Sequence, residues 1–441
     1  MTFITKSTMN QVRNSSSIIP QFAKRIKHLG QIRKQLLSIA ERDGTPAFIY
    51  DSGEVEANYH DFVGAFRRAN VTVQPFYAMK SNPYSGILKT VTGLGGCLDA
   101  SSVQELNWAM AARPEQVVFT GPGKTERDFA AILKYHKRVT VHLESIRELE
   151  QLAEMARLAG RKVRVAARIY TKQQSAWSKF GIRLEDLPAF IRKAAEFSHV
   201  TFAGIHFHIS WNTNAQRYVK TLKELGKVLR DNLAPEEREQ LQFIDIGGGF
   251  IGDCFEALYP WNRKQSIGFG YPPGFLNNLL SDQLPERYIP HPIEPFADTA
   301  KQIAAEWHRS ILSQCPDIQM YAEPGRYLCH SSMHHLLRVV EDKPDRGAVI
   351  LDGGNNMIGW EKQQWVDYTP IFNLSQWSTT REFPVILYGS LCTSNDIWGY
   401  YLYGKRVALG DVLVMPYQGA YTYTLAQNFI KEIPPVVTLE R

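Results

Sequence analysis

From Ala47 to about Leu328, short apolar runs alternate with amphipathic stretches at intervals of roughly 25 to 40 residues, the pattern of repeated βα units that build a parallel sheet. The expected strands are Ala47–Tyr50, Val71–Met79, Gly96–Asp99, Val117–Phe119, Val139–Val141, Val163–Ile169, Phe202–Ile209, Phe243–Ile246 and Met320–Ala322. Ser145–Arg157 and Asn214–Asp231 read as amphipathic helices. There are enough strands to close an eight-fold barrel, and polar residues cluster just after the strand ends, where such a barrel carries its active site. Beyond Cys329 the pattern changes. Leu336–Glu341, Ala348–Leu351, Phe383–Tyr388, Arg406–Leu409, Asp411–Val414 and Pro435–Glu440 read as strands with little helix between them. A chain of 441 residues is too long for one ordinary core. The expected organisation is therefore an α/β protein: an arm over 1–46 that joins the β domain, a (β/α)8 barrel over 47–330, and an all-β sandwich or barrel over 331–441.

Charge and composition exclude several function classes. The formal net charge is +6, but the first 40 residues hold Lys and Arg with no Asp or Glu, and without them the balance is close to zero. A local basic arm of this kind is no global face for nucleic acid. The same acid-free, Ser-bearing start has the look of a transit peptide, while Ile32–Ile39 reads as structural helix. No apolar run reaches the roughly 18 to 20 residues of a membrane span. Five cysteines, at 97, 254, 315, 329 and 392, make neither a paired disulfide framework nor a zinc knuckle and suit reduced thiols in a cytoplasm. Residues 1 to about 20 are expected to be loosely ordered.

Five segments carry candidate chemistry. In Phe76-Tyr77-Ala78-Met79-Lys80-Ser81-Asn82-Pro83, alternation puts Lys80 on the face of Phe76 and Ala78 before a sharp turn, giving the partly desolvated amine that Schiff-base chemistry needs. A lysine taken alone is almost always a solvent-exposed charge. Asp245-Ile246-Gly247-Gly248-Gly249-Phe250 is a strand running into three glycines, whose bare backbone suits a single phosphate as well as a plain tight turn. It lacks the dinucleotide and P-loop spacings. Tyr321-Ala322-Glu323-Pro324-Gly325-Arg326-Tyr327 offers an arginine fork for a phosphate and a carboxylate for a heterocyclic nitrogen, against the alternative of a surface loop with a salt bridge. In His206-Phe207-His208-Ile209-Ser210 both imidazoles fall on one side of a strand, which also suits an HxH metal pair or, for His206, a core histidine. In Ser390-Leu391-Cys392-Thr393-Ser394-Asn395-Asp396 a thiol beside a carboxylate suits a proton donor or nucleophile, although buried inert cysteines are commoner.

Taken in order, from about Thr45 to Tyr421, these segments resemble the alanine-racemase-fold decarboxylases that use pyridoxal 5'-phosphate, the family of ornithine, arginine and diaminopimelate decarboxylases. The resemblance implies a TIM-like barrel with a β domain, no metal, and a homodimer with shared active sites. Lys80 corresponds to the Schiff-base lysine, and Asp99 and Glu105 to the acidic segment near it. Arg168 and Lys179-Phe180-Gly181 fit the next barrel strands. His208 would stack on the pyridine ring, Glu323 would pair with its nitrogen, and Gly247, Gly248, Gly249, Gly325 and Arg326 would hold the phosphate with Tyr421 close by. Cys392 would come from the second subunit and return a proton to Cα. A carboxylate at the ring nitrogen also argues against the racemase branch of the fold, which places an arginine there and so weakens the electron sink.

The chain departs from the family pattern where the substrate's far end would sit. Ornithine-type members have Asp, and diaminopimelate-type members Glu, directly after the cysteine; here it is Thr393, with Asp396 further along the loop. The diaminopimelate-type Arg-Pro pair is replaced by Asp352-Gly353-Gly354-Asn355-Asn356-Met357-Ile358-Gly359-Trp360, and the usual Gly-Ser after the histidine by Ser210-Trp211, which weakens the case for Ser210 as a phosphate ligand. With Trp360, Trp365, Trp398, Tyr400 and Tyr401, these changes point to a substrate with a modified distal group, such as a citryl-diamino acid of siderophore biosynthesis. The aromatic residues suit dimer packing equally. A free diamino acid of L or D configuration is the alternative within the class. A racemase, a metal-dependent barrel hydrolase using His206 and His208, and a catalytically silent homologue are the alternatives outside it.

Overall fold

Eight short parallel strands define the larger folding unit: β1 (Val73–Ala78), β2 (Cys97–Ala100), β3 (Val117–Phe119), β4 (Val139–Leu143), β5 (Val163–Tyr170), β6 (Val200–His206), β7 (Phe243–Asp245) and β8 (Gln319–Ala322). The computed structural model describes residues 13–14, 23–174, 179–252, 257–258, 289–290, 293–359 and 367–440. Expectations on residues 1–12, Cys254, Trp360 and Trp365 lie outside them. Each strand pairs in parallel with the next, and β8 pairs with β1 through Met320–Val73, Tyr321–Gln74 and Ala322–Pro75, so the sheet closes on itself. The unit comprises Gly53–Gly252 and Ile293–Cys329.

The local sequence explains the alternation. Ser102, Ser145 and Thr125 stand at the starts of the helices Val103–Ala111, Ile146–Leu158 and Glu126–Lys134, each accepting a backbone N–H from the third residue on. At Thr125 the cap is reciprocal, because Asp128 accepts the Thr125 backbone N–H at 2.8 Å. Such caps satisfy donors that a helix start otherwise leaves orphaned, and they end each βα turn at a defined residue. Phe76, Cys97, Val118, Ala166, Ala203, Phe243 and Tyr321 form a buried cluster in this unit, with Phe243 stacked on Tyr321 at 4.3 Å. The barrel is therefore a packed core with its chemistry at the carboxyl ends of the strands.

The second unit comprises Met1–Ser52, Asp253–Pro292 and His330–Arg441. Its mixed sheet runs Arg13–Asn14, Arg381–Tyr388, Ile397–Tyr403, Phe372–Asn373, Val412–Met415, Met333–Lys343, Ala47–Tyr50 and Val436–Thr438, with Ala348–Leu351 paired to two of these. The helix Ala23–Arg42 buries Ile26, Leu29, Ile32, Leu36 and Ile39 in a core with Leu336, Tyr403 and Val414. Its three-to-four-residue apolar spacing is that of a helix resting on a sheet.

Three expectations need correction. Ala47–Tyr50, placed in the barrel on its apolar pattern, pairs instead with Met333–Leu336 and with Val436–Thr438 in the β unit. All four of its residues are buried, so its composition is that of any two-sided strand. Arg406–Leu409 is not a strand. Trp398 and Tyr401, which in the sequence suit a substrate with a modified distal group or dimer packing, lie on the strand Ile397–Tyr403: Trp398 is buried with its Nε1 donating to the Gly353 carbonyl at 2.9 Å, and Tyr401 belongs to the core.

Candidate active site

Strand β1 ends at Ala78, and Lys80 sits in the single 3-10 turn Met79–Ser81 that follows. The expected strand therefore stops short of the lysine, and the turn rather than the pleat aims it. Ser81 Oγ donates to the Ala78 carbonyl at 2.7 Å and Tyr77 Oη donates to the Asn82 carbonyl at 2.8 Å, both buried, which locks this turn. Asp99, at the end of β2, is buried and accepts the Thr120 hydroxyl at 2.5 Å. Burial, then the negative charge of Glu323, push its carboxyl well above the usual range, against the pull of Lys80. Glu105 accepts the Ser101 N–H at 2.7 Å and also lies within the field of Lys80. Arg168, on β5, donates to the Thr120 carbonyl at 3.2 Å and to Glu144 at 3.0 Å, and its guanidinium covers Phe180 at 4.2 Å. Gly181, in the left-handed region, brings its N–H to the same Glu144 at 3.1 Å. The Lys179-Phe180-Gly181 triplet thus braces Arg168.

At the end of β8, Glu323 is buried between imidazoles. His206 Nε2 lies 3.3 Å from its Oε1, His142 Nδ1 4.0 Å from the same atom, and His208 Nδ1 3.4 Å from Oε2. Burial opposes ionisation, yet the His206 and His208 rings overcome it and hold the carboxyl well below the usual range. His208 itself is pushed down to about 4 by burial, with Lys80 adding to the fall against the opposing contact with Glu323. Its Nδ1 accepts the Gly248 N–H at 3.1 Å and its Nε2 is 3.2 Å from Ser210 Oγ. The expected pair of imidazoles does share one side. However, the four donors that come within 4.8 Å of one another are His142, His206, Asp245 and Glu323, without His208.

The glycine turn is stripped of side chains for steric reasons. Gly247 and Gly249 are left-handed, at φ +69° and +89°. A Cβ on Gly247, Gly248 or Gly249 would stand 2.3, 2.4 or 2.0 Å from a backbone carbonyl oxygen, of Phe207, Glu323 and Ile209 respectively. Asp245 Oδ1 accepts the Gly247 N–H at 2.8 Å and Tyr218 Oη donates to the Gly248 carbonyl at 2.6 Å, fixing the turn from both sides. Gly325 crosses the end of β1, where a Cβ would meet Ser81 Oγ at 3.0 Å. Arg326 begins the short helix Arg326–Cys329, with its guanidinium 4.9 Å from the Trp211 ring. A buried Glu323 Oε1 without a hydrogen-bond partner, a side-chain-free turn, an arginine and a lysine together fit pyridoxal phosphate: ring nitrogen, phosphate and aldehyde each find a matching group. Leaving a buried acceptor unpaired costs about 1–3 kcal/mol, which a ring N–H would offset.

Residues 52–268 match the family model described as "Pyridoxal-dependent decarboxylase, pyridoxal binding domain". Among curated relatives, the diaminopimelate decarboxylase of Pseudomonas aeruginosa is 26% identical over 89% of this chain and 87% of its own. The probable ornithine decarboxylase of Dictyostelium discoideum is 22% identical over 91% and 80%. A solved diaminopimelate decarboxylase from M. jannaschi superposes with a TM-score of 0.71 at 23% identity, covering 92% of this chain and 89% of that one. Over residues 52–268 the chain carries the pyridoxal-binding domain of the pyridoxal-dependent decarboxylases. It is a carboxy-lyase whose cofactor is pyridoxal phosphate.

Not every residue expected at the decarboxylase site is free to act there. Asp396, expected to bind substrate, is buried and accepts the Leu391 N–H at 2.6 Å and the Asn355 N–H at 2.7 Å, so one oxygen clamps its own loop and the other ties that loop to the turn Asn355–Met357. Cys392 and Thr393 are exposed at the tip of that loop. Tyr421 is half-buried with a left-handed φ of +57°. Sequence reading missed His142, because the strand expectation stopped at Val141. The signal was an imidazole inside the apolar run Val139-Thr140-Val141-His142-Leu143.

Proposed function

We propose that this decarboxylase acts on a free diamino acid of the ornithine, lysine or diaminopimelate kind. The observation that carries the mechanism is the buried Glu323, its carboxyl drawn below the usual range by His206 and His208, in the same folding unit as Lys80, the glycine turn and Arg326. Bound pyridoxal phosphate supplies an electron sink conjugated to the substrate's Cα. Lys80 would hold the cofactor through its amine, and Glu323 would face the ring nitrogen with a carboxylate that favours its protonated form. Gly247, Gly248, Gly249, Gly325 and Arg326 would hold the phosphate and His208 would lie against the ring, while Asp99 sits within the field of Lys80. The chain's contribution would be orientation of the substrate's Cα–carboxylate bond.

In the same reading, Cys392 of a second subunit returns the proton to Cα, and the exposed loop tip suits delivery across a dimer interface. Thr393 would meet the substrate's far end. The relatives' names, diaminopimelate and ornithine decarboxylase, favour a free diamino acid. One observation keeps a second reading open: with Asp396 committed to Leu391 and Asn355, the loop tip from Cys392 to Asn395 offers no carboxylate for a distal ammonium. A substrate with that amine capped, such as a citryl-diamino conjugate, would suit such a loop. The described cysteines are free thiols, and no helix among the described residues is long and apolar enough to cross a membrane, which is compatible with a cytoplasmic setting.

The test has two parts. Visible absorbance that borohydride reduction fixes to the chain, and that Lys80→Ala abolishes, establishes the lysine. Carbon-dioxide release is then measured across L- and D-ornithine, L- and D-lysine, diaminopimelate and citryl conjugates. Release confined to the conjugates would overturn the free-diamino-acid reading, and racemisation without release would overturn the proposed role of Glu323.

A further inference from the structure

Beneath Glu323 the barrel holds polar groups that the proposed chemistry leaves unused. His142 comes from β4, His206 from the end of β6 and Asp245 from the end of β7, and all three are buried. Among the described residues, neither imidazole nitrogen of His142 or of His206 has a hydrogen-bond partner, and neither does Asp245 Oδ2. Four buried side chains that carry unmet polar atoms, Glu323 Oε1 included, call for a role in an interior otherwise built from apolar layers. The His142 and His206 rings stack with centroids 4.4 Å apart and planes 27° apart, so each fixes the plane of the other.

The donor arithmetic singles out His206. A neutral imidazole has one N–H and one lone pair. On His208 the Nδ1 lone pair accepts the Gly248 N–H at 3.1 Å, so the 3.4 Å approach of that atom to Glu323 Oε2 brings no proton. Among the described residues, the other charged or titratable groups around Glu323 are Lys80 after β1, Asp99 on β2, His142 on β4, Arg168 on β5, Asp245 on β7 and Tyr218, whose hydroxyl donates to the Gly248 carbonyl. Arg168 is committed to Thr120 and Glu144, and burial together with the Glu323 charge pushes the carboxyls of Asp99 and Asp245 well above the usual range. His206 Nε2, 3.3 Å from Oε1, is the imidazole donor in reach; a small ring rotation brings it into line.

We propose that His206, backed by the stacked His142, is a positioning residue that keeps Glu323 ionised in the dry barrel by donating from Nε2 to Oε1. The proposal rests on the reading of Glu323 as the ring-nitrogen carboxylate, yet its first test does not need the cofactor. Isotope-edited infrared spectra of the cofactor-free protein with labelled glutamate report the Glu323 carboxyl, its band assigned with Glu323→Gln. At neutral pH wild type should show Glu323 as carboxylate, and His206→Phe should show a protonated carboxyl. His206→Gln, which keeps an N–H donor, should restore the carboxylate. His142→Ala, which removes the ring stacked on His206, should raise the pH at which Glu323 titrates, and it decides the matter if His206→Phe does not fold.

Pyridoxal phosphate affinity should fall about tenfold or more in His206→Phe, the loss of one hydrogen bond to a charged group, and recover in His206→Gln. A folded His206→Phe that keeps Glu323 fully ionised would overturn the proposal, and so would failure of Gln to restore it. Stoichiometric zinc binding by the cofactor-free protein that disappears in His142→Phe would also overturn it, by making the four donors a metal site. Absence of decarboxylation in the wild type, by contrast, would count against the enzymatic reading and leave the infrared result standing.

Discussion

Trp211 shows how much of the site was legible residue by residue. The sequence marks it as a departure, because it stands where the family has a small residue. What it contacts depends on how the loops after β6 and β8 meet, and no local pattern records that. Its backbone is left-handed, at φ +55°, and its exposed ring lies 4.9 Å from the Arg326 guanidinium. A tryptophan in that conformation carries strain of about 1 kcal/mol or more, while an exposed cation–π contact returns about 0.5–1 kcal/mol. Trp211→Gly should therefore separate the two. The cofactor-free protein should melt at an equal or slightly higher temperature by calorimetry. Pyridoxal phosphate affinity, read by equilibrium dialysis, should weaken about threefold as Arg326 loses its platform. A fall in melting temperature with unchanged affinity would show that Trp211 is a packing residue. His142 teaches the same limit from the other side: one histidine in an apolar strand is visible, but its stacking on His206 is a product of the closed sheet.

At the scale of elements, the barrel was legible because each strand–helix unit repeats the same physical pattern, an apolar run followed by a polar cap and an amphipathic helix. The failures share one cause. Ala47–Tyr50 has an apolar residue at every position, so nothing in it specifies which sheet it joins; its partners lie nearly three hundred residues and more away. Ile397–Tyr403 is rich in aromatic residues, which serve a core and a binding face alike. The glycine turn after β7 was readable as bare backbone, but not the reason for it. At Gly248 the backbone is not left-handed; the constraint is space, since a Cβ there would stand 2.4 Å from the Glu323 carbonyl oxygen and 3.2 Å from His208 Cε1. Gly248→Ala should push the turn off both, an overpacking of about 1–3 kcal/mol. Cofactor affinity should drop about ten- to a hundredfold, and the His208–Gly248 hydrogen bond should be lost, visible as a shift of the His208 imidazole nitrogen resonances. Unchanged affinity would mean that the turn does not touch the phosphate.

For the molecule as a whole, buried neutral histidines make stability depend on pH in both units. His142 and His206 lie buried in the barrel with His208 partly buried beside them, and His334 lies on the strand Met333–Lys343 of the β unit. His334 gives the cleanest reading. It is fully buried, its Nδ1 accepts the Tyr417 N–H at 3.1 Å, and its ring packs edge-on against Tyr417 at 4.9 Å. Burial, helped by the charges of His28 and Arg25 and opposed by Asp51, pushes its pKa from 6.5 to about 4. Between those two values the unfolded chain holds a proton that the folded chain does not, so acid favours unfolding throughout that window. Below about 4 both states are protonated and the effect levels off. At roughly 1.4 kcal/mol per pH unit the window is worth about 3 kcal/mol. Raw stability will not display it alone, because Asp99 and Asp245, whose carboxyls are raised by burial, act with the opposite sign above the unfolded aspartate value of 3.8. A difference isolates it: His334→Gln keeps an acceptor for Tyr417 but cannot titrate. The unfolding free energy of wild type minus that of the variant, from denaturant titrations, should fall by about 3 kcal/mol on going from pH 7 to pH 4. A constant difference across that range would mean that His334 is hydrated or already charged in the folded chain.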